Sequence, residues 1–281
     1  MLLHDKTAVI FGAGGAIGSH VAREFAREGA AVYLSGRHLA SVENVAKAIR
    51  SSNGTAEAAE VDALDEQAVN AYLNRVAQAA GSIDILLNVM GPQPKDYGNA
   101  TSTLELPLEQ YLLPLTTLVP SQFITARAAA RHMVPQHSGV ILFVTAVPAR
   151  GGANSTAIGS AFGAMESLLR CLAADLGPAG VRVVGLRAGA MVETRTIQQT
   201  LENVVNTLGV SKAQIVSTLE QRTLLKRLPT VGETARLAAF LASDGARTLT
   251  GAISTSLACR RACRKQRAGH PPVALSRRLA G

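Results

Sequence analysis

Seven short runs rich in Val, Ile and Leu recur along the chain, and almost every one leads into a longer stretch of helical periodicity. The runs fall at 6–11, 30–35, 55–61, 83–88, 139–145, 181–186 and 251–256. Most are continuous rather than alternating, as expected of strands covered on both faces. Helical periods occupy 16–29, 39–51, 65–80, 109–135, 155–177 and 231–242. Strand and helix in strict alternation require right-handed crossovers and therefore a parallel sheet with helices on both faces. The expected fold class is α/β, a single doubly wound sheet over residues 1–256. The polar, helix-prone segment 190–228 interrupts the rhythm. In such a sheet an insertion there falls at the C-terminal strand edge, on the substrate side.

The pattern stops near Leu257. From Ala258 onward there are seven Lys or Arg residues and no Asp or Glu. Removing those seven from the net charge of +8 leaves +1 for the rest of the chain. The basic balance thus belongs to a tail, 257–281, that reads as disordered. This argues against a nucleic-acid-binding face on the folded part. The abrupt change is what a shifted reading frame or a genuine charged extension would produce. Cys259 and Cys263 stand in this tail at a spacing poorly suited to a metal, and no metal site is expected. Cys171 lies in a helical period and is expected to be a buried small hydrophobe. No apolar run approaches the ~18 residues of a membrane span, and the N-terminus carries no signal-like segment. A cytoplasmic protein without a membrane segment is the expectation.

The first strand runs into FGAGGAIGSHVAREFAREG. Gly12, Gly14, Gly15 and Gly18, with Ala16 and Ile17, allow a tight turn and close approach of a pyrophosphate. The helix that follows offers free N–H groups and the positive end of its dipole. Glycine clusters also occur in plain tight turns. A cluster that follows a strand and opens a helix points to a nucleotide in a Rossmann-type domain. The second strand ends in LSGRH, without the carboxylate that receives the 2′-OH of NAD. Ser35 and Arg37 stand there instead, and Arg37 is suited to a 2′-phosphate. NADP is therefore favoured over NAD, the bland alternative being a solvated Arg37.

The spacing of Gly12, Ala16 and Gly18 resembles the G-x3-G-x-G pattern of the short-chain dehydrogenase/reductase family, with Ala16 for the middle glycine. EVDALD places Asp62 and Ala63 where that family contacts the adenine side. IDILLNVMG resembles the family's D-x-L-x-N-N-A-G, keeping Asn88 and Gly91 with Val89 and Met90 between. GVRVVGLRAGAMVET is similar to its strand ending in P-G, with Ala188 for Pro and Gly189 kept. The resemblance spans about residues 4–256. It implies cofactor contacts from these residues, a small-molecule substrate, and a homo-oligomer through the long helices at 109–135 and 155–177.

The resemblance also implies chemistry that the chain lacks. In the family a Tyr donates a proton, a Lys four residues later lowers its pKa, a Ser orients the substrate oxygen and an Asn supports a relay water. GAMESLL aligns with the residues after that Lys, placing Ile158 at the Tyr position and Phe162 at the Lys position. No Tyr follows Tyr111, and no Lys lies between Lys95 and Lys212. No alignment shift restores the pair. The Asn position falls near Leu118, in a stretch without Asn, and the Ser position at Thr145 or Ala146. Thr145 is the one candidate catalytic residue, equally readable as an ordinary strand residue. Lys95, Asp96 and Tyr97, in GPQPKDYG, read as a solvent-exposed loop. The functional expectation is an oxidoreductase of this type, binding NADP(H), with weakened carbonyl or enone hydride transfer. The alternative is a non-catalytic nucleotide-binding scaffold or sensor.

Overall fold

The computed structural model describes residues 1–256, and of 207 and 208 only the backbone. The expectations for the basic tail 257–281, Cys259 and Cys263 included, lie outside the described residues. In chain order the elements are β1 (Thr7–Phe11), α1 (Ala16–Arg27), β2 (Ala31–Gly36), α2 (Leu39–Arg50), β3 (Ala56–Glu60), α3 (Glu66–Ala80), β4 (Ile85–Asn88) and α4 (Leu108–Gln136). There follow β5 (Gly139–Ala146), α5 (Thr156–Leu176), β6 (Val181–Ala188), α6 (Arg195–Leu208), α7 (Lys212–Arg222), α8 (Val231–Ala242) and β7 (Ile253–Thr255). All seven strands are parallel, in the order β3-β2-β1-β4-β5-β6-β7. The order reverses between β1 and β4, and a crevice opens there beyond the C-terminal strand ends.

The continuous apolar runs are explained by two cores. Successive strand residues point to opposite faces, so Val9, Phe11, Leu86, Ile141 and Phe143 enter one core with Leu73, Met133, Met165 and Leu169. Ala8, Ile10, Leu87, Leu142 and Val184 enter the other, with Val21, Phe25, Val42 and Leu241. Helix ends are set locally. The Asp65 side chain accepts from the Ala68 N–H at the start of α3, and Gly81, at φ 82°, ends that helix in the left-handed region. The insertion 190–228 contains α6 and α7.

One expectation is corrected. Cys171 is exposed, on the solvent side of α5. The stretch Thr156–Ala179, α5 and the turn after it, is long and apolar enough by length and composition alone to cross a membrane. Its apolarity has a local cause in the fold: Ala157, Ala161, Met165, Leu169 and Leu172 bury one face of α5 in the first core.

One charged cluster lies inside this core. Arg187 of β6 donates from Nη2 (2.6 Å) and Nε (2.8 Å) to the Glu166 carboxylate of α5. It also donates from Nη1 to Thr255 Oγ1 of β7 at 3.1 Å. Both charged side chains are under a tenth exposed. Removing one partner strands a buried charge. Glu166→Ala is therefore expected to cost about 3–5 kcal/mol of folding stability. Replacing both partners with Leu and Met is expected to cost clearly less. Urea denaturation of the two variants checks this; equal losses would contradict it.

Candidate functional site

The glycine segment after β1 is pinned from two sides. The N–H groups of Gly12 and Ala13 donate to the Ser35 carbonyl at 2.9 and 3.1 Å, which ties the turn to the end of β2. Gly12 has φ +77°, and a Cβ there would lie 2.7 Å from Met90 N and 2.9 Å from Val89 C. The turn therefore lies against the end of β4, on the crevice where strand order reverses. At Gly18 a Cβ would meet the Gly12 carbonyl oxygen at 2.4 Å and Ala13 Cα at 2.9 Å, so α1 sits directly on the turn.

The face of this turn is open to an anion. Gly14, Gly15 and Ala16 are exposed. Gly15 caps α1 without a side chain, and the first turn of α1 contains no acidic residue. The helix thus presents its N–H groups and positive dipole end unopposed. Ile17 is half-buried and packs on a small cluster of Ala188, Met191 and Val231. These features fit the pyrophosphate of a dinucleotide.

Along the adenosine side, the Ser35 hydroxyl is fully buried and has no hydrogen-bond partner among the described residues. Arg37 is exposed, and its guanidinium has no partner among the described residues. Asp62 is half-buried, with Oδ1 accepting from the Leu64 N–H at 3.0 Å, and Ala63 is buried beside it. Val89 donates its N–H to the Phe11 carbonyl at 3.0 Å, joining the ends of β4 and β1.

Asn88 is tied into the turn after β4. Its Nδ2 donates to Thr125 Oγ1 at 3.2 Å, and its Oδ1 accepts from the Met90 N–H at 3.1 Å. Its carbonyl accepts from Gln122 Nε2 at 2.7 Å. With those groups engaged and the residue 1% exposed, Asn88 shapes the turn after β4 from beneath. Gly91 lies under Leu118, whose Cδ2 is 3.1 Å from where a Cβ would stand. Gly189 lies against Pro229 and donates its N–H to Ser256 Oγ at 3.1 Å.

Thr145, the candidate catalytic residue, is engaged within the core. Its hydroxyl donates to Glu166 Oε1 at 2.9 Å, and the residue is 2% exposed. The hydroxyl serves the Glu166–Arg187 pair inside the core. The residue that ends β5 is Ala146, half-buried and without a hydroxyl. Ile158 and Leu118 are buried, and Phe162 is half-buried against the same core. The loop after β4 also departs from its expected exposure. Lys95 and Asp96 are exposed, but Tyr97 is buried, and burial pushes its phenol up to about 12. Two cross-links hold that loop to the start of α5: Ala100 N–H to the Asn154 carbonyl at 3.2 Å, and Thr103 Oγ1 to Thr156 Oγ1 at 2.6 Å.

Sequence reasoning missed Glu166 and Arg187. The signal was present as two charges, one inside an apolar helical stripe and one inside an apolar strand. Each needed the other to be tolerable.

The family model described as enoyl-(acyl carrier protein) reductase matches residues 12–256. An L-rhamnose 1-dehydrogenase (NAD(P)(+)) of Azotobacter vinelandii is 33% identical over 258 residues, covering 90% of this chain and 95% of that protein. The 7alpha-hydroxysteroid dehydrogenase of Escherichia coli is 30% identical over 254 residues, covering 90% and 93%. Among solved structures, a xylitol dehydrogenase bound to NAD+ superposes with a TM-score of 0.84 at 25% identity, covering 91% of this chain and 98% of that one. A 7alpha-hydroxysteroid dehydrogenase complexed with NADH and 7-oxo glycochenodeoxycholic acid does so at 0.79 and 29%, covering 91% and 94%.

The packing at Gly18 gives a direct test of the turn. Gly18→Ala places a methyl group against backbone that cannot swing away, and is expected to cost about 1–3 kcal/mol while weakening dinucleotide binding. Thermal denaturation with and without added NADPH reads both effects; unchanged stability and binding would contradict the geometry.

Proposed function

The chain belongs to the short-chain dehydrogenase/reductase family, and from that premise we propose that it is an NADP(H)-binding oxidoreductase whose carbonyl and enone hydride transfer is weakened by the loss of its proton donor. The observation that carries this reading is a contrast within one crevice. The glycine turn is open to an anion, whereas the positions that the resemblance gives to the family's Tyr and Lys hold Ile158 and Phe162, its Ser falls at Thr145 or Ala146, and its Asn falls near Leu118.

The roles of the chain's own groups follow from their placement. The N–H groups at the start of α1 hold the pyrophosphate, and Gly12 and Gly18 keep side chains out of its way. Arg37, exposed and without a partner among the described residues, would meet a 2′-phosphate with a bidentate fork; Gly36 beside it offers no carboxylate to compete. Asp62 and Ala63 border the adenine, and Val89 and Gly91 line the floor of the crevice. When bound, the nicotinamide supplies or accepts a hydride. Reduction of a ketone also requires a proton at oxygen, and a phenol activated by a cation is worth about 10²–10⁴-fold there. Ile158 and Phe162 hold no proton to give. Tyr97 is no substitute, since burial without a cationic neighbour makes its phenol a weaker acid.

A second reading, a nucleotide-binding scaffold or sensor without catalysis, is favoured by Thr145. With its hydroxyl bound to Glu166, none of the four roles is filled. A small-molecule substrate belongs to the first reading alone. A homo-oligomer through α4 and α5 is proposed under both, as Phe123 of α4 is 40% exposed.

Restoring the missing groups separates the two readings. The triple variant Ala146→Ser, Ile158→Tyr, Phe162→Lys is expected to raise kcat/KM for a simple ketone with NADPH by about 10²-fold or more. No gain in a folded variant that still binds NADPH would contradict the proposed loss of a proton donor and leave the scaffold reading.

A further inference from the structure

The strands of a parallel sheet all begin at one edge, and here that edge lies opposite the nucleotide crevice. A cavity of about 310 Å³ runs along it, against the starts of β4, β5 and β6 and the residue before β1. Lys6 stands at this end of β1 and the Gly12 turn at the other, so the five residues of the strand separate cavity and crevice by roughly 16 Å. Five charged side chains line the cavity: Lys6, Arg182 and Arg247 against Asp84 and Asp244. Three cations facing two carboxylates leave one positive charge over.

The carboxylates are more committed than the cations. Asp84 Oδ2 accepts from the Thr7 N–H at 2.8 Å and from Ser82 Oγ at 2.9 Å, which ties the start of β1 to the turn before β4. Arg182 is half-buried and is held by backbone alone. Its Nη1 donates to the Leu241 and Leu249 carbonyls at 3.1 and 3.3 Å, and its Nη2 to those of Ala242 and Ser243 at 3.4 and 3.1 Å. Three of these are the orphan carbonyls at the end of α8. They fix the guanidinium without cancelling its charge, and its Nε has no partner among the described residues. Burial pushes Arg182 below its ordinary value, and the Asp244 charge offsets only part of that. Lys6 Nζ lies 3.8 Å from Asp244 Oδ2, outside hydrogen-bond range. Arg247 is exposed, and its guanidinium has no partner among the described residues. Its N–H donates to the Asp244 carbonyl at 3.1 Å, which keeps it on the same short turn as the carboxylate beside Lys6.

We propose that this cavity is a second ligand site, one that binds a small organic monocarboxylate between Lys6 and Arg247. The free Arg247 fork matches the two oxygens of a carboxylate, and Lys6 adds a point charge. The volume is at the small end of ligand pockets. One negative charge brings the lining to neutrality and compensates the desolvated Arg182. A phosphate monoester brings a second charge, which would face Asp84 and Asp244 with no cation to spare. The site shares no residue with the crevice, and the proposal is independent of which nucleotide binds there.

Titration calorimetry of the full chain with benzoate, and with benzamide as its uncharged isostere, tests the proposal at neutral pH and low ionic strength. Benzoate is expected to bind about tenfold more tightly. Arg247→Gln and Lys6→Gln are each expected to weaken benzoate by about tenfold, and Arg247→Lys to retain part of the loss. Neither side chain makes a hydrogen bond among the described residues, so the Tm of each variant should stay close to that of the wild type. Arg37→Ala, at the crevice, should leave benzoate binding unchanged. A crystal soaked with 4-iodobenzoate should place the iodine in the cavity by its anomalous signal. No benzoate binding, equal binding of benzamide, or binding that Arg37→Ala removes while Arg247→Gln and Lys6→Gln do not, would overturn the proposal. Tighter binding of phenyl phosphate than of benzoate would overturn the choice of a monocarboxylate.

Discussion

The close approach of the Gly12 turn to the end of β4 is the constraint on which the rest of the site depends. No side chain fits between Gly12 and the Met90 N–H, or between Gly18 and the Gly12 carbonyl. Backbone therefore meets backbone across the point where strand order reverses, and α1 is brought in with its N-terminus aimed at the crevice. The Ser35 carbonyl, holding two N–H groups of the turn, fixes the end of β2 to the same point and so places Arg37 on the rim. Under the proposed NADP(H) reading, an anion at the turn and a 2′-phosphate at Arg37 would depend on one packing arrangement rather than on separate devices.

Behind the site the sheet is held by a polar cluster that has taken over a strand-end hydroxyl. Thr145, Glu166, Arg187 and Thr255 join β5, α5, β6 and β7. Thr255 lies at the last paired position of the described sheet, opposite Arg187. The engagement of the Thr145 hydroxyl by Glu166 and the lack of Tyr and Lys in α5 both support the proposed weakening of proton transfer.

Much of this was legible in the sequence. The parallel, doubly wound sheet follows from apolar runs alternating with helical periods, and the tight turn after β1 from glycines placed between a strand and a helix. The absence of the proton-donating pair was independent of alignment, because residue types can be counted without a register. Three features were not legible. The exposure of Cys171 depends on which face of α5 meets the sheet, and a helix with small residues on several sides does not declare that face. Tyr97 lies in a loop rich in Pro, Gly and charge, and such composition signals exposure; its burial comes from cross-links to Asn154 and Thr156, distant in sequence. The downward turn of Thr145 requires Glu166, and Glu166 is tolerable there only with Arg187. Pairings of that kind are tertiary facts that local pattern does not carry.

The proposed function stands on an intact dinucleotide site that selects the 2′-phosphate in the absence of the family's proton donor. Thermal denaturation of the wild-type protein with NADPH or NADH tests it most directly. At about a hundredfold excess over its Kd, NADPH should add about 2.7 kcal/mol of stability, read as a rise in Tm of several degrees. NADH at the same concentration should add less, and Arg37→Ala should bring the two together. No shift with either nucleotide, or equal shifts that Arg37→Ala leaves unchanged, would contradict the account.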